Sequence, residues 1–156
     1  MLTLAALPSR AAEVRWREWD AGLAEAAKSG KPVLVDAYTG WCGWCKRMDR
    51  DVYARPEVRD YLEKHFVPIK LDAESSRPAH YEGRGQTGRS IAQRFRITGY
   101  PTTVFLRSNG EHIVNVSGYR PAPDFRVLLR YVGEDHIGRG VPWADFAQHP
   151  EKYPER

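Results

Sequence analysis

The sequence predicts an α/β domain, a central mixed β-sheet flanked by helices, and three observations carry that prediction. Short apolar, partly β-branched runs at Val33-Leu34-Val35 and Phe66-Val67-Pro68-Ile69 alternate with segments of helical periodicity. Thr103 to Arg107 and His112 to Val116 flank Ser108-Asn109-Gly110-Glu111, and Asn-Gly between two such runs marks an antiparallel hairpin. The only two cysteines stand three residues apart in Trp41-Cys42-Gly43-Trp44-Cys45-Lys46, directly after the first apolar run, where a helix is expected to open. With 156 residues the chain suits one domain whose core needs no covalent staples.

In order, Leu2-Thr3-Leu4-Ala5-Ala6-Leu7 and Pro8-Ser9-Arg10-Ala11 fall within a segment 1–13 that has two readings. It is either the end of a secretory signal, with the mature chain starting near Ala12, or an apolar flexible arm. Trp16 to Gly30 forms a helical unit, with Trp19, Leu23, Ala26 and Ala27 on one face, Asp20 as N-cap and Gly30 as terminator. Val33 to Tyr38 is a buried strand whose Asp36 is anomalous: a carboxylate in such a run needs a partner, and burial raises its pKa. Lys46 to Tyr53 continues the helix behind the cysteines with Met48 and Val52 inward. Arg55-Pro56-Glu57 restarts a helix whose apolar side is Val58, Tyr61 and Leu62. Phe66 to Leu71 is the next strand, with Pro68 marking an irregularity or an edge.

Residues 73–89 turn polar, basic and rich in glycine, and are expected to form a mobile loop insertion. Its Arg77, His80, Arg84 and Arg89 carry positive charge with almost no compensating acid; the segment either attracts an acidic partner surface or is a tolerated, solvated insertion. Gly83, Gly85 and Gly88 lack the leading strand and the Gly-Lys-Ser/Thr that a phosphate cradle requires. Gly88 to Arg96 resumes helical spacing through Ile91, Ala92 and Phe95. Pro121 to Val132 is the last amphipathic helix, with Phe125, Leu128, Leu129 and Val132 inward. The remaining 133–156 form a polar C-terminal extension in which Trp143, Phe146 and Tyr153 pin a short turn to the body.

The cysteine spacing carries the chemistry. If Cys42 opens a helix, the pair at i and i+3 shares one helical face, and the first sulfur is expected on the solvent side. There it meets unpaired N–H groups and the positive end of the helix dipole, both of which favour a thiolate. In redox pairs of this spacing the first thiol falls from about 8.5 to roughly 3.5–7.5. Cys42 then attacks a disulfide sulfur and Cys45, one turn behind, resolves the mixed disulfide. Structural zinc requires four ligands, yet no second cysteine pair exists and His65, His80, His112, His136 and His149 are scattered. A purely structural disulfide closing so short a loop removes little chain entropy. The expectation is dithiol–disulfide chemistry with no metal, and with no cofactor beyond a redox-active Cys42–Cys45 disulfide.

Composition narrows the partners. The chain is 42% hydrophobic and 28% charged. No stretch approaches the ~18 apolar residues of a membrane span. The net charge of +4 is spread among 20 acidic residues, and no nucleic-acid reading motif is present.

Strand, Cys-x-x-Cys helix, strand, helix, proline segment, hairpin and helix in this order resemble the thioredoxin superfamily from about Val14 to Val132. The resemblance rests on Trp41-Cys42 and Cys45-Lys46, Asp36 six residues before Cys42, Tyr100-Pro101-Thr102, Asn109-Gly110 and Gly118. Gly30-Lys31-Pro32-Val33 before the motif and the stretch from Asp51 to Phe66 behind it are similar to the C-terminal domain of envelope thiol reductases of the DsbD type. The resemblance implies a thioredoxin fold and a cis Pro101, with Tyr100 offering backbone groups to a substrate strand. It places Trp41, Gly43, Trp44 and Thr102 with them around the substrate; Trp41 either docks a partner or shields Cys45. It also implies that Asp36 relays the proton of Cys45 with Lys70 as its partner, although a purely structural Asp36–Lys70 pair is the competing view. Thioredoxin itself has Gly-Pro where Gly43-Trp44 stands, so its reduction potential does not carry over.

The resulting expectation is a monomeric protein-disulfide reductase. Its partners are protein disulfides and an upstream thiol reductant, and its compartment is the periplasm or outside the cell, or else the cytoplasm. A thiol oxidase or isomerase, and a non-catalytic binding module on the same scaffold, are the rivals.

Overall fold

A computed structural model describes residues 12–156. Most of the segment read as a leader or arm, and its Ser9 and Ala11, lies outside the described residues. In chain order the elements are α1 (Trp19–Ser29), β1 (Val33–Tyr38), α2 (Gly43–Met48), a π-helical turn (Asp49–Tyr53), α3 (Pro56–His65) and β2 (Val67–Asp72). Then come β3 (Pro78–Tyr81), β4 (Arg84–Thr87), α4 (Gly88–Arg94), β5 (Thr102–Leu106), β6 (His112–Ser117), α5 (Ala122–Gly133), α6 (Trp143–Gln148) and a 3-10 turn (Pro150–Lys152).

The main sheet has the order β2-β1-β5-β6, with β1 parallel to β2 and the remaining pairs antiparallel. This is the mixed, helix-flanked sheet of a thioredoxin fold. Pro68 lies in an edge strand, whose outer side receives Arg17: the Arg17 N–H donates to Pro68 O at 3.0 Å and the Lys70 N–H to Arg17 O at 3.1 Å. Side chains alternate across β1 and so build two cores. Val33, Val35 and Ala37 face Trp19, Ala26, Ile69 and Ile91. Leu34 faces the opposite layer, where Met48, Val52, Tyr53, Leu62, Phe125 and Leu129 pack with Phe105. At Gly22 an added Cβ would collide with Ile69, so the missing side chain lets α1 lie close on the sheet.

Several local expectations are corrected. Helix α1 starts at Trp19; Trp16 lies outside it, edge-on to Tyr53 at 4.9 Å. Glu18, not Asp20, holds the N-cap position, and no side chain caps there. Asp20 is engaged elsewhere, accepting from the His80 backbone N–H at 2.7 Å and contacting its Nδ1 at 2.9 Å.

The insertion at 73–89 is not simply a loop. It contains an antiparallel hairpin of β3 and β4, turned by Glu82 and Gly83 at φ 51° and 73°. Ala79 and Tyr81 alternate inward while their neighbours stay wet, so a short half-buried strand read as polar. Tyr81 Oη donates to Gly110 O at 2.8 Å, and Trp19 Nε1 to His80 O at 2.9 Å. The expected uncompensated charge is corrected in part: Glu18 lies 3.7 Å from Arg77 and Asp20 meets His80, whereas Arg89 donates only to the backbone carbonyl of Glu74, at 3.3 Å, and Arg84 enters no ion pair among the described residues.

The C-terminal extension is more than an appended turn. Helix α6 inserts Phe146 into full burial, and Tyr131, His136 and Tyr153 pack around its ring at 4.3–5.4 Å. Glu134 accepts from Arg130 Nε at 3.0 Å and contacts His136 Nε2 at 3.0 Å, while Arg130 Nη2 donates to Tyr153 O at 2.6 Å.

Candidate active site

The turn after β1 delivers Cys42 to the start of α2. The Cys42 N–H donates to Thr39 O at 3.3 Å, and Cys42 takes the N-cap position with extended backbone (φ −77°, ψ 104°). Its Sγ accepts from the Cys45 N–H at 3.0 Å, the capping bond a helix start requires. Cys42 and Cys45 are joined as a disulfide with Cα atoms 5.3 Å apart. The expectation that Cys42 alone faces solvent is corrected, since Cys42 is 4% and Cys45 3% exposed. The flanking aromatics occupy the surface instead, Trp41 at 68% and Trp44 at 55%.

Those indoles form two sides of a rim. Trp41 stands edge-on to Tyr100 with ring centroids 6.1 Å apart, and its Nε1 donates to Glu74 Oε1 at 2.9 Å. Trp44 packs against Tyr119 at 5.3 Å with the Arg47 guanidinium 5.1 Å over its ring. The Tyr100-Pro101 peptide is cis. Thr102 opens β5, pairing with Ala37 and Ser117, so Tyr100 and Pro101 arrive at the same end of β1 as Cys42. Thr102 Oγ1 donates to Gly99 O at 2.7 Å, and the Gly118 N–H to Pro101 O at 2.8 Å. Gly118, at φ 90°, permits that turn. Gly43 is exposed between the cysteines.

Asp36 is 2% exposed on β1, and alternation puts it on the Leu34 side, the face covered by α2 and the π-helical turn. The parallel register places Lys70 opposite it. Lys70 Nζ donates to Asp36 Oδ2 and to Asp49 Oδ1, both at 2.6 Å. Trp16 and Tyr38 rings lie 4.7 and 5.2 Å from that ammonium. Burial raises the Asp36 pKa to about 6 against the opposing pull of Lys70. Burial alone would lower the Lys70 pKa, but the two carboxylates outweigh it and the ammonium is raised. Asp36 Oδ1 and Tyr53 Oη are buried without a hydrogen-bond partner among the described residues. Burial, then the Asp36 charge, lift the Tyr53 phenol well above its ordinary value.

The ten sequence-derived candidates fall in two groups: Trp41, Cys42, Gly43, Trp44, Cys45, Tyr100, Pro101 and Thr102 at the same end of β1, and Asp36 with Lys70 on the sheet face covered by α2; Thr102, expected against the substrate, is itself 1% exposed and so corrected to a buried position. Sequence reasoning missed Asp49, Glu74 and Tyr119. Asp49 had a signal, since it stands four residues after Cys45 and so one turn along the same helical face. Glu74 and Tyr119 had none, because their places depend on how separate loops converge. Among the described residues no three His, Cys, Asp or Glu side chains gather as a metal site, and no helix is long and apolar enough to cross a membrane.

Comparison with known proteins agrees with this geometry. A thiol:disulfide interchange protein DsbD of Pseudomonas aeruginosa is 35% identical over 92 residues, which is 59% of this chain and 14% of that protein. The chain thus spans only a small part of that relative's length. A disulfide bond reductase DsbH of Chlamydia pneumoniae is 24% identical over 116 residues, 73% of this chain and 68% of that one. The solution structure of a thioredoxin from Thermus thermophilus superposes with a TM-score of 0.64 at 30% identity, covering 78% of this chain and 88% of the other. A family model described as a thioredoxin-like domain matches residues 19–133, the span from the first residue of α1 to the last of α5. With the sheet order, the cysteine pair and that match in agreement, the chain belongs to the thioredoxin-like family.

Proposed function

We propose that this protein is a thiol–disulfide oxidoreductase that reduces disulfides in other proteins. The observation that carries the reading is the Cys42–Cys45 disulfide at the start of α2, on the sheet face where Asp36 is buried with a raised pKa. In the reduced state the Cys42 thiolate attacks one sulfur of a partner disulfide. A Cys42–sulfur bond forms, the partner's S–S bond breaks, and the departing thiolate takes up a proton. Cys45 then gives up its proton and attacks Cys42 Sγ. The Cys42–Cys45 bond forms, the second partner thiol leaves, and two electrons have passed to the partner. A separate dithiol donor returns the pair to its reduced state.

Asp36 accepts the Cys45 proton, because a carboxyl group titrating near neutrality exchanges protons in both directions at working pH. Lys70, anchored between Asp36 and Asp49, holds that carboxylate in place and limits how far its pKa climbs. Tyr100, just before Pro101, offers backbone groups to an extended partner segment, while Thr102 is buried behind it and fixes the turn through Gly99 O. Trp41, Gly43 and Trp44 give that segment a contact surface beside the sulfurs. The compartment that suits this chemistry is the bacterial envelope, where disulfides form and must be corrected.

Cys45→Ala tests the reading: the variant is expected to retain protein partners as mixed disulfides on Cys42, which a reductant releases. Wild type is expected to reduce insulin, and Cys42→Ser to abolish that activity. Wild type inactive with every dithiol donor would overturn the assignment. The direction is tested by equilibration with glutathione, where a potential near about −120 mV would make the protein an oxidant.

A further inference from the structure

Lys70 has two carboxylate partners of unlike exposure. Its Nζ lies 2.6 Å from Asp36 Oδ2 and 2.6 Å from Asp49 Oδ1, yet the Asp36 side chain is 2% exposed and that of Asp49 44%. An ammonium is strongly hydrated, so water and Asp49 draw it outward, away from the buried carboxylate. Three aromatic rings line the inner position, with Trp16 at 4.7 Å from the Nζ, Tyr38 at 5.2 Å and Tyr53 at 5.9 Å. Tyr38 belongs to β1 and Tyr53 to the π-helical turn, whereas Trp16 comes from the segment before α1. That segment is strapped down through its next residue. The Arg17 N–H donates to Pro68 O at 3.0 Å and the Lys70 N–H to Arg17 O at 3.1 Å, while the Arg17 guanidinium grips Glu25 of α1 through two bonds of 2.8 Å. Trp16 also stands edge-on to Tyr53 at 4.9 Å, so backbone bonds and a neighbouring ring seat the indole on the ammonium. An open groove lined by Glu13, Trp16, Lys46, Asp49, Arg50 and Tyr53 runs alongside, and an ammonium that left the aromatic lining would find water there. The titratable groups around the pair are thus Asp49 and Tyr53 from the π-helical turn, Tyr38 from β1, and Glu13, Lys46 and Arg50 along the groove; Cys45 of α2 is held in the disulfide.

We propose that Trp16 is a positioning residue: its indole holds the Lys70 ammonium against Asp36 rather than letting it move out to Asp49 and water. For its effect on turnover the inference rests on the disulfide-reductase reading, which it deepens by giving the segment before α1 a part in the reaction. The face of an indole carries negative potential and attracts a cation most strongly where water is excluded. Leu at this position keeps an apolar cover but has no such face. Without that attraction the ammonium spends more time at Asp49, the Asp36 carboxylate loses its counter-charge, and its proton is held more tightly. Cys45 then meets less of the ionised acceptor at a given pH, and resolution slows.

The test titrates the Asp36 carboxyl by carbon-13 NMR in the oxidised full chain, which requires no turnover. The wild-type midpoint is expected at about 6. In Trp16→Leu it is expected to rise by about one pH unit, a roughly tenfold fall in the ratio of ionised to protonated Asp36. Trp16→Phe keeps an aromatic face and restores most of the wild-type value. In a Lys70→Met background Trp16→Leu adds no further shift, because the indole acts through the ammonium. A midpoint that stays in Trp16→Leu, or one that falls because water now reaches the carboxylate, would overturn the proposal, and so would an equal shift with and without Lys70. Should Trp16→Leu fail to fold, wild type still decides: the Lys70 ε-methylene protons are expected upfield of those of the other lysines, and ordinary shifts there would remove the contact. Single-turnover resolution over the same pH range separates the two readings. If the rate profile does not follow the carboxyl midpoint, the relay through Asp36 fails while the hold of Trp16 on Lys70 stands; if the midpoint is unmoved in Trp16→Leu, the hold fails while the reductase reading stands.

Discussion

Under the proposed proton relay, Asp36 meets two demands that pull apart. Stability favours an uncharged group at a 2% exposed position, whereas proton transfer needs one that ionises. Its pKa, raised from 3.8 to about 6, is the compromise. Between those values the folded chain binds more protons than the unfolded one, so stability falls as pH rises through the window and stays low above it. Two pKa units correspond to about 3 kcal/mol. Asp36→Asn removes the slope: in urea, its stability relative to wild type is expected to be higher at about pH 7.5 than at about pH 3.5 by a similar amount. In turnover the sign reverses. Wild-type resolution accelerates as Asp36 deprotonates through pH 6, and Asp36→Asn is slower and flat across that range, as single-turnover fluorescence of Trp41 and Trp44 would record. Lys70→Met separates the pair from the other side, leaving a buried carboxylate without its cation. Because Lys70 is one-fifth exposed, the expected loss lies toward the lower end of ~3–5 kcal/mol above pH 7, and is small at pH 4, where Asp36 is protonated. Equal losses at both pH values would make Lys70 a packing residue.

At the scale of elements, legibility followed the strength of the local pattern. β1 and the breaker Lys31-Pro32 were plain in the sequence, as were Pro56 at the start of α3 and the apolar stripe of α5. The β3–β4 hairpin was not, because two four-residue strands with one wet face present only Ala79 and Tyr81 as apolar signals. Arg84 to Thr87 is a strand only because β3 lies beside it. α6 was hidden for the same reason: Phe146 has no apolar neighbours at helical spacing beyond Trp143, and its partners Tyr131 and His136 come from α5 and the turn after it. Burial nonetheless makes both elements integral to the domain. Phe146→Ala is expected to cost about 3–5 kcal/mol in denaturant unfolding, as for other buried aromatic side chains. It should also lift the protection of α5 amides from hydrogen exchange, while β1 amides stay protected until global unfolding. An effect under about 1 kcal/mol would mean that the extension is a dispensable appendage.

Across the whole molecule, the placement of the site follows from one strand carrying two patterns. Odd positions of β1 are apolar, and Leu34 and Asp36 look the other way, so the sheet seals one layer while the opposite layer receives both the cysteine helix and the buried carboxylate. The sequence displayed this as an anomaly, an acid in an apolar run. It could not display Glu74 or Tyr119, whose contacts with Trp41 and Trp44 depend on the separate paths of the chain after β2 and β6. Because the sheet separates the layers, damage on one side should leave the other unaware. Ile91 is buried in the α1-side core and Leu129 in the α2-side core, with no residue common to the two clusters. Ile91→Val is expected to cost about 0.5–1.5 kcal/mol and Leu129→Ala about 2–5 kcal/mol. Independent sites add, so the double variant should equal the sum of the singles within ~0.5 kcal/mol in urea titrations. A coupling above about 1 kcal/mol would show that β1 transmits strain between its faces, and that the layer beneath the disulfide is not mechanically separate from the layer that holds the hairpin.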